Sequence, residues 1–300
     1  MSIVDLLQTA LTGGNHFPPL SDSEQKRRIE QNLRKISDGR LPYSGNPNAY
    51  GLFEGFRNWA SFAESITNPD TIRAAIYAAF QPLYDCLIDN RKMGIEPRKK
   101  AVAVLNGLIA VGVDFLTGYY SGEPDKKRFK EGVALLKLGF EELSFTNYLQ
   151  KDRNIGRNAI FPNDIVLFLQ EYLKHSLDGN KPHTDYVVGA ACGSSEVAMP
   201  LAGLLGVDVG FIRKSKRRGD SRALVIPEQE PMIQEAARDK RVICIEDYVC
   251  TGRSLHDVMR KVEGYGAASV RGASVRNSSD CGFCLKETTG KSGFHVYNFK

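Results

Sequence analysis

The most chemically suggestive segment runs from Val242 to Ser254, VICIEDYVCTGRS. An apolar strand pattern ends in two adjacent carboxylates, Glu246 and Asp247. A short glycine-containing loop, Val249-Cys250-Thr251-Gly252-Arg253-Ser254, then leads into a helical pattern. Backbone N–H groups at a loop and helix N-terminus cradle phosphate, and Thr and Ser hydroxyls add donors. Glycine lets the backbone approach an anion closely. Two carboxylates touching a phosphate would repel it, whereas they accept hydrogen bonds well from a neutral diol. The segment therefore suits a ribose 5-phosphate. The alternative is a buried strand followed by an ordinary turn.

Two further clusters lie upstream. Gly189-Ala190-Ala191-Cys192-Gly193-Ser194 follows a short strand pattern and precedes a helical one, so its small residues would turn main-chain amides toward a diphosphate. Arg213-Lys214-Ser215-Lys216-Arg217-Arg218-Gly219-Asp220 follows a second strand and concentrates cationic charge. Its cations suit a pyrophosphate, and the alternative is a solvated basic loop or a nucleic-acid patch.

These elements resemble the type I phosphoribosyltransferase family, with its apolar strand, acidic pair and Thr-Gly-x-Ser/Thr phosphate loop. The resemblance covers roughly residues 152–275 and looks most like orotate phosphoribosyltransferase, where Arg-Lys at a strand end leads into a basic loop. It implies that Glu246 and Asp247 bind ribose hydroxyls, that Val249 to Ser254 hold the 5′-phosphate, and that Ala190, Ala191, Cys192 and Gly193 face the diphosphate. It further implies that Arg213 and Lys214, with Lys216, Arg217 and Arg218, neutralise that diphosphate. Tyr248 and Cys250 depart from the commoner aliphatic residue and Thr or Ala. The spacing to Gly219 also differs, and a usual histidine is absent.

The implied activity is Mg²⁺-assisted transfer of phosphoribosyl from phosphoribosyl pyrophosphate to a nitrogenous or base-like acceptor that the sequence does not identify. The ion would be held mainly by substrate oxygens, with no dedicated protein ligand set. The family often forms dimers. Two other readings stay open: a regulator that binds the ligand without chemistry, and a defence or toxin-like effector acting on a nucleotide or macromolecule.

The elements that must position these residues follow from patterning. Strand and helix patterns alternate from about residue 151, which predicts an α/β domain with a mainly parallel sheet, at 151–300. Strands are expected at 186–188, 209–212, 241–245 and 269–275, with helices at 164–175, 195–205 and 254–264. Residues 1–150 read as a helical domain for packing, oligomerisation, or binding a protein or nucleic-acid partner. Ser21 and Glu24 form a capping-box pattern ahead of Ile29, Leu33 and Ile36. Asn68-Pro69-Asp70 opens a second helix that Pro82 should kink. A third begins near Pro97, and a fourth spans about 125–143. Residues 151–162 are a candidate hood over the acceptor, and His256 reads as a surface or packing residue.

The chain has 300 residues, 42% hydrophobic and 25% charged, with net charge +5. That composition excludes a disordered chain, a collagen-like repeat and a small disulfide scaffold. The mild charge excess does not argue for a nucleic-acid protein. Cysteines occur at Cys86, Cys192, Cys244, Cys250, Cys281 and Cys284 without a disulfide spacing, and a reducing cytoplasm is the simpler expectation. Cys281 and Cys284 lack the second pair that a structural zinc site needs. No secretory signal is expected. The apolar stretch 101–120 contains Asn106 and Asp114, which argues for a buried helix over a membrane span.

Overall fold

The computed structural model describes residues 17–37, 66–89, 93–142, 162–178, 183–191, 193–214, 219–278, 285–291 and 294–299. The chain divides into two units: one of Met1–His16 and Leu41–Ala159, the other of Phe17–Arg40 and Ile160–Lys300.

The second unit begins with α1 (Asp22–Ser37). Its capping box forms as the sequence predicts: Ser21 N–H donates to Glu24 Oε2 at 2.9 Å, and Glu24 N–H to Ser21 Oγ at 3.3 Å. Its partners, however, lie in the α/β half. Gln25 donates to the Thr184 carbonyl at 2.6 Å, Arg28 to Gly203 at 2.7 Å and Asn32 to Leu204 at 2.7 Å. Gln170 donates back to the Ile36 carbonyl at 2.6 Å. The expected division into 1–150 and 151–300 therefore differs in this element, which belongs with the α/β unit. The segment 41–159 interrupts that unit.

The first unit contains α2 (Pro69–Asp89), α3 (Ile95–Tyr120) and α4 (Lys126–Glu142). The Asn68 carboxamide caps α2 by accepting the Asp70 N–H at 2.9 Å, and the helix continues past Pro82 to Asp89. Asp125 caps α4, accepting the Arg128 N–H at 2.9 Å. α3 is long and apolar enough to cross a bilayer, but most of its apolar surface is covered, and it packs against α2 and α4. Asp114, on α3, is ion-paired with Arg128 Nε at 2.8 Å. Burial raises the Asp114 pKa, against the pull of that guanidinium.

The sheet of the second unit has six strands in the order β2-β1-β3-β4-β6-β5. They are β1 (Tyr186–Ala191), β2 (Asp208–Arg213), β3 (Arg241–Val249), β4 (Ser269–Asn277), β5 (Leu285–Lys291) and β6 (Phe294–Phe299). The first four in this order are parallel, while β6 runs antiparallel to β4 and β5 antiparallel to β6. Every residue of β1 is buried, as expected for a strand covered on both faces.

The remaining helices of this unit are α5 (Pro162–Leu177), α6 (Ser195–Leu205), α7 (Glu230–Ala237) and α8 (Arg253–Glu263). The chain steps outward from β1 to β2 through α6, and in the other direction from β3 to β4 through α8. Right-handed crossovers then put α6 and α8 on opposite faces. The order reverses between β1 and β3, so the crevice beyond their carboxyl ends is the topological switch point where open α/β sheets bind ligands. On the α8 face, Val188, Ile212, Val242 and Cys244 pack with Leu255, Val258, Met259 and Val262.

Candidate functional site

β3 extends four residues beyond its expected end. Tyr248 and Val249 remain paired with Arg276 and Asn277 of β4, which also outlasts its expected end. Glu246 and Asp247 therefore sit near the end of a supported strand rather than in a loop, both half-buried. β1 likewise runs on to Ala191, so Gly189, Ala190 and Ala191 are strand residues, and Gly193 and Ser194 turn the chain into α6. Gly189 is needed there for packing: a methyl group on it would come within 2.6 Å of the Phe211 ring.

The β1–α6 turn and the acidic pair meet directly. A methyl group on Gly193 would collide with all three carboxylate atoms of Asp247, so the carboxylate lies flat against the glycine. Ser194 fixes the turn, donating from Oγ to the Ala190 carbonyl at 2.7 Å, while its own carbonyl accepts the Val197 and Ala198 N–H groups.

After Val249 the chain turns tightly. Cys250 is exposed, Thr251 half-buried, and Gly252 adopts φ 78°, a left-handed geometry that favours glycine. The turn is pinned from β4: Ser278 N–H donates to the Val249 carbonyl at 3.0 Å, and Ser278 Oγ to the Cys250 carbonyl at 2.9 Å. α8 starts at Arg253, and its first-turn amides have no intrahelical acceptor. Thr251, Gly252, Arg253 and Ser254 thus surround a helix N-terminus suited to an anion. Leu255, Val258, Met259 and Val262 anchor α8 on the sheet, which fixes where that terminus points.

The basic cluster divides. Arg213 is the last residue of β2 and only 2% exposed. Its guanidinium pairs with Asp220 at 3.2 Å, and its backbone bridges Leu224 at 2.7 and 2.8 Å. It thereby ties the two ends of the basic segment together. Lys214 reaches α8, with Nζ 2.9 Å from Asp257 and the side chain only 8% exposed. His256 Nδ1 lies 3.7 Å from that same carboxylate. Cys192, Lys216, Arg217, Arg218, the Cys281/Cys284 pair and residues 151–161 lie outside the described residues.

Several residues at this edge were not anticipated. Asp257 holds Lys214, Asp220 holds Arg213, and Asp164 holds Arg276 through Nε at 3.1 Å and through Nη2. Tyr248, beside Arg276 in register, is 47% exposed. The acids precede or follow basic or hydroxyl residues by ordinary spacings, so nothing in the sequence marks them as partners across elements. Among the described residues, no group of three or more His, Cys, Asp or Glu could hold a metal ion by itself.

Comparison with known families matches residues 158–281 to the phosphoribosyl transferase domain. No curated protein and no solved structure matches the chain.

Proposed function

From the match of residues 158–281 to the phosphoribosyl transferase domain, we propose that this chain transfers the 5-phosphoribosyl group from phosphoribosyl pyrophosphate to a nitrogenous or base-like acceptor, with release of pyrophosphate. The observation that carries the proposal is the meeting of Asp247 with Gly193 at the switch point, beside a phosphate-type loop on the α8 N-terminus. In this proposal the acid pair, the diphosphate turn and the 5′-phosphate loop come together at the carboxyl ends of β1 and β3.

In this reading Glu246 and Asp247 accept hydrogen bonds from the ribose 2′- and 3′-hydroxyls. The amides from Val249 to Ser254, with the Thr251 and Ser254 hydroxyls, bind the 5′-phosphate. Ala190, Ala191, Cys192 and Gly193 line the diphosphate turn. The acceptor nitrogen attacks the anomeric carbon as its bond to the diphosphate oxygen breaks, and that electron pair leaves on pyrophosphate. Lys214 lies at the end of β2 with a charge for the leaving group, exchanging Asp257 for diphosphate oxygen. Arg213 supports this step by holding the basic segment to Asp220. The carboxylate oxygens beside the diphosphate turn are hard donors of the kind Mg²⁺ accepts alongside phosphate oxygens and water. When bound, the ion supplies positive charge to the departing diphosphate.

The free thiols Cys86, Cys244 and Cys250 fit a reducing cytoplasm. A second variant is an effector whose acceptor is a nucleotide or macromolecule, since a minimal biosynthetic enzyme has no need of the helical segment 41–159. The test is pyrophosphate release from phosphoribosyl pyrophosphate and Mg²⁺ with a panel of purine, pyrimidine and pyridine bases, nucleotides and RNA. Acceptor-dependent release that disappears in Asp247→Asn supports transfer. Release with none of the panel, despite substrate binding, favours the regulator instead.

A further inference from the structure

We propose that His256 is a positioning residue for Lys214. It acts through Asp257 and ties the availability of the Lys214 ammonium to pH. This rests on the role proposed for Lys214 at the diphosphate.

The Asp257 carboxylate stands between two nitrogen groups, one at each oxygen. Lys214 Nζ, just past the end of β2, lies 2.9 Å from Oδ2, and His256 Nδ1 lies 3.7 Å from Oδ1. The Lys214 side chain is nearly buried, whereas about a third of the His256 and Asp257 side chains is exposed. The ammonium therefore needs a nearby anion, and protons from solvent reach the imidazole. The His256 backbone is fixed too, since its N–H donates to the Gly252 carbonyl at 2.9 Å in the first turn of α8.

Histidine is the side chain that ordinarily changes charge between pH 8 and pH 5. With His256 neutral, Lys214 is the cation held on the carboxylate. With His256 protonated, two cations share one anion and repel each other, so Lys214 loses less by leaving. Diphosphate at the end of β2 is the anion it leaves for. Other charges surround the imidazole. Arg253 and Arg260 lie one turn to either side on α8, with Arg260 held by Glu263 at 2.8 Å. Together with the positive end of the helix, they oppose protonation. β3 and β4, on which α8 packs, carry Glu246, Asp247 and Arg276 at the same end. Asp257 is the carboxylate in reach of both cations.

The experiment is calorimetric titration of Mg²⁺–pyrophosphate, at about pH 5.5 and about pH 8, into wild type, His256→Gln, Asp257→Asn and the double variant. Comparing proteins at one pH cancels the protonation of pyrophosphate itself. At the higher pH, wild type and His256→Gln should bind equally. At the lower pH, wild type should bind about threefold tighter, a modest gain because the His256–Asp257 pair is partly exposed. In the Asp257→Asn background, the His256 substitution should change nothing at either pH, because the group it acts through is gone. If a variant does not fold, His256→Asn or Asp257→Ser takes its place.

An affinity ratio of wild type to His256→Gln that is the same at both pH values would overturn the proposal. So would a difference at low pH that survives in Asp257→Asn, since the imidazolium would then act on diphosphate directly. Both results leave the proposed function standing. Failure of every protein to bind Mg²⁺–pyrophosphate at either pH would defeat both.

Discussion

Replacing Asp257 by Asn should destabilise the α/β unit and at the same time tighten diphosphate binding. Lys214 Nζ is 2.9 Å from the Asp257 carboxylate, with the side chains 8% and 38% exposed. At an effective dielectric near 20, the bare attraction at that distance is roughly 5–6 kcal/mol. Desolvation of a nearly buried ammonium cancels most of it, leaving about 1–2 kcal/mol net. Asparagine keeps the size and an oxygen, so the loss should sit in that range. For a unit of this size it should lower the melting temperature by about 2–8 °C. Lys214 would then no longer need to exchange one anion for another when diphosphate arrives. A gain of about 1 kcal/mol corresponds to roughly fivefold tighter binding. Thermal unfolding and calorimetry of Mg²⁺–pyrophosphate measure the two effects. A variant that melts lower yet binds no tighter would refute the role given to Lys214, since its cation would then serve only the fold.

Three other outcomes follow from the geometry. Burial pushes the Asp185 pKa up, but hydrogen bonds from the Arg241 side chain (2.6 and 2.8 Å) and backbone (2.9 Å) outweigh this and hold it below the ordinary value. A lowered folded-state pKa stabilises the fold above the unfolded value of about 3.9, and this contribution is lost as pH falls through the folded value. Asp185→Asn should therefore cost about 2 kcal/mol at pH 7 and progressively less below about pH 4 in denaturant unfolding. Replacing residues 41–159 with about ten Gly/Ser residues should leave a folded protein that binds phosphoribosyl pyrophosphate, because α1 and α5 already meet at Ile36 and Gln170. An unfolded product by circular dichroism would show that the unit depends on the interrupting segment. Tyr248 is exposed, so Tyr248→Ala should leave stability and phosphoribosyl pyrophosphate binding unchanged. If it stacks on a ring acceptor, the KM for that acceptor should rise about tenfold in steady-state kinetics.

The acidic pair and the Thr-Gly-x-Ser loop were legible because their chemistry is local: residue type, strand pattern and glycine placement all fall within a dozen positions. α6 was read at its observed bounds, Ser195–Leu205, for the same reason. What escaped depends on partners distant in sequence. The α1 pattern shows an apolar face but not that Gln25, Arg28 and Asn32 bond to residues 184, 203 and 204. Arg213 reads as one more cation of a basic loop until Asp220 folds back on it. β3 and β4 run past their expected ends because Glu246, Asp247 and Asn277 are poor strand formers that the mutual ladder holds in place. β5, LKETTGK, has no apolar alternation, and its pairing with β6 is what makes it a strand.

The central claim is that Glu246, Asp247 and the loop on α8 bind a ribose phosphate. Calorimetric titration of phosphoribosyl pyrophosphate with Mg²⁺ into wild type and Asp247→Asn tests it most directly. The account predicts saturable binding to wild type and affinity lower by about tenfold or more in the variant, whose amide cannot accept hydroxyl donors as a carboxylate does. No binding to folded wild-type protein, or equal binding to both, would contradict it.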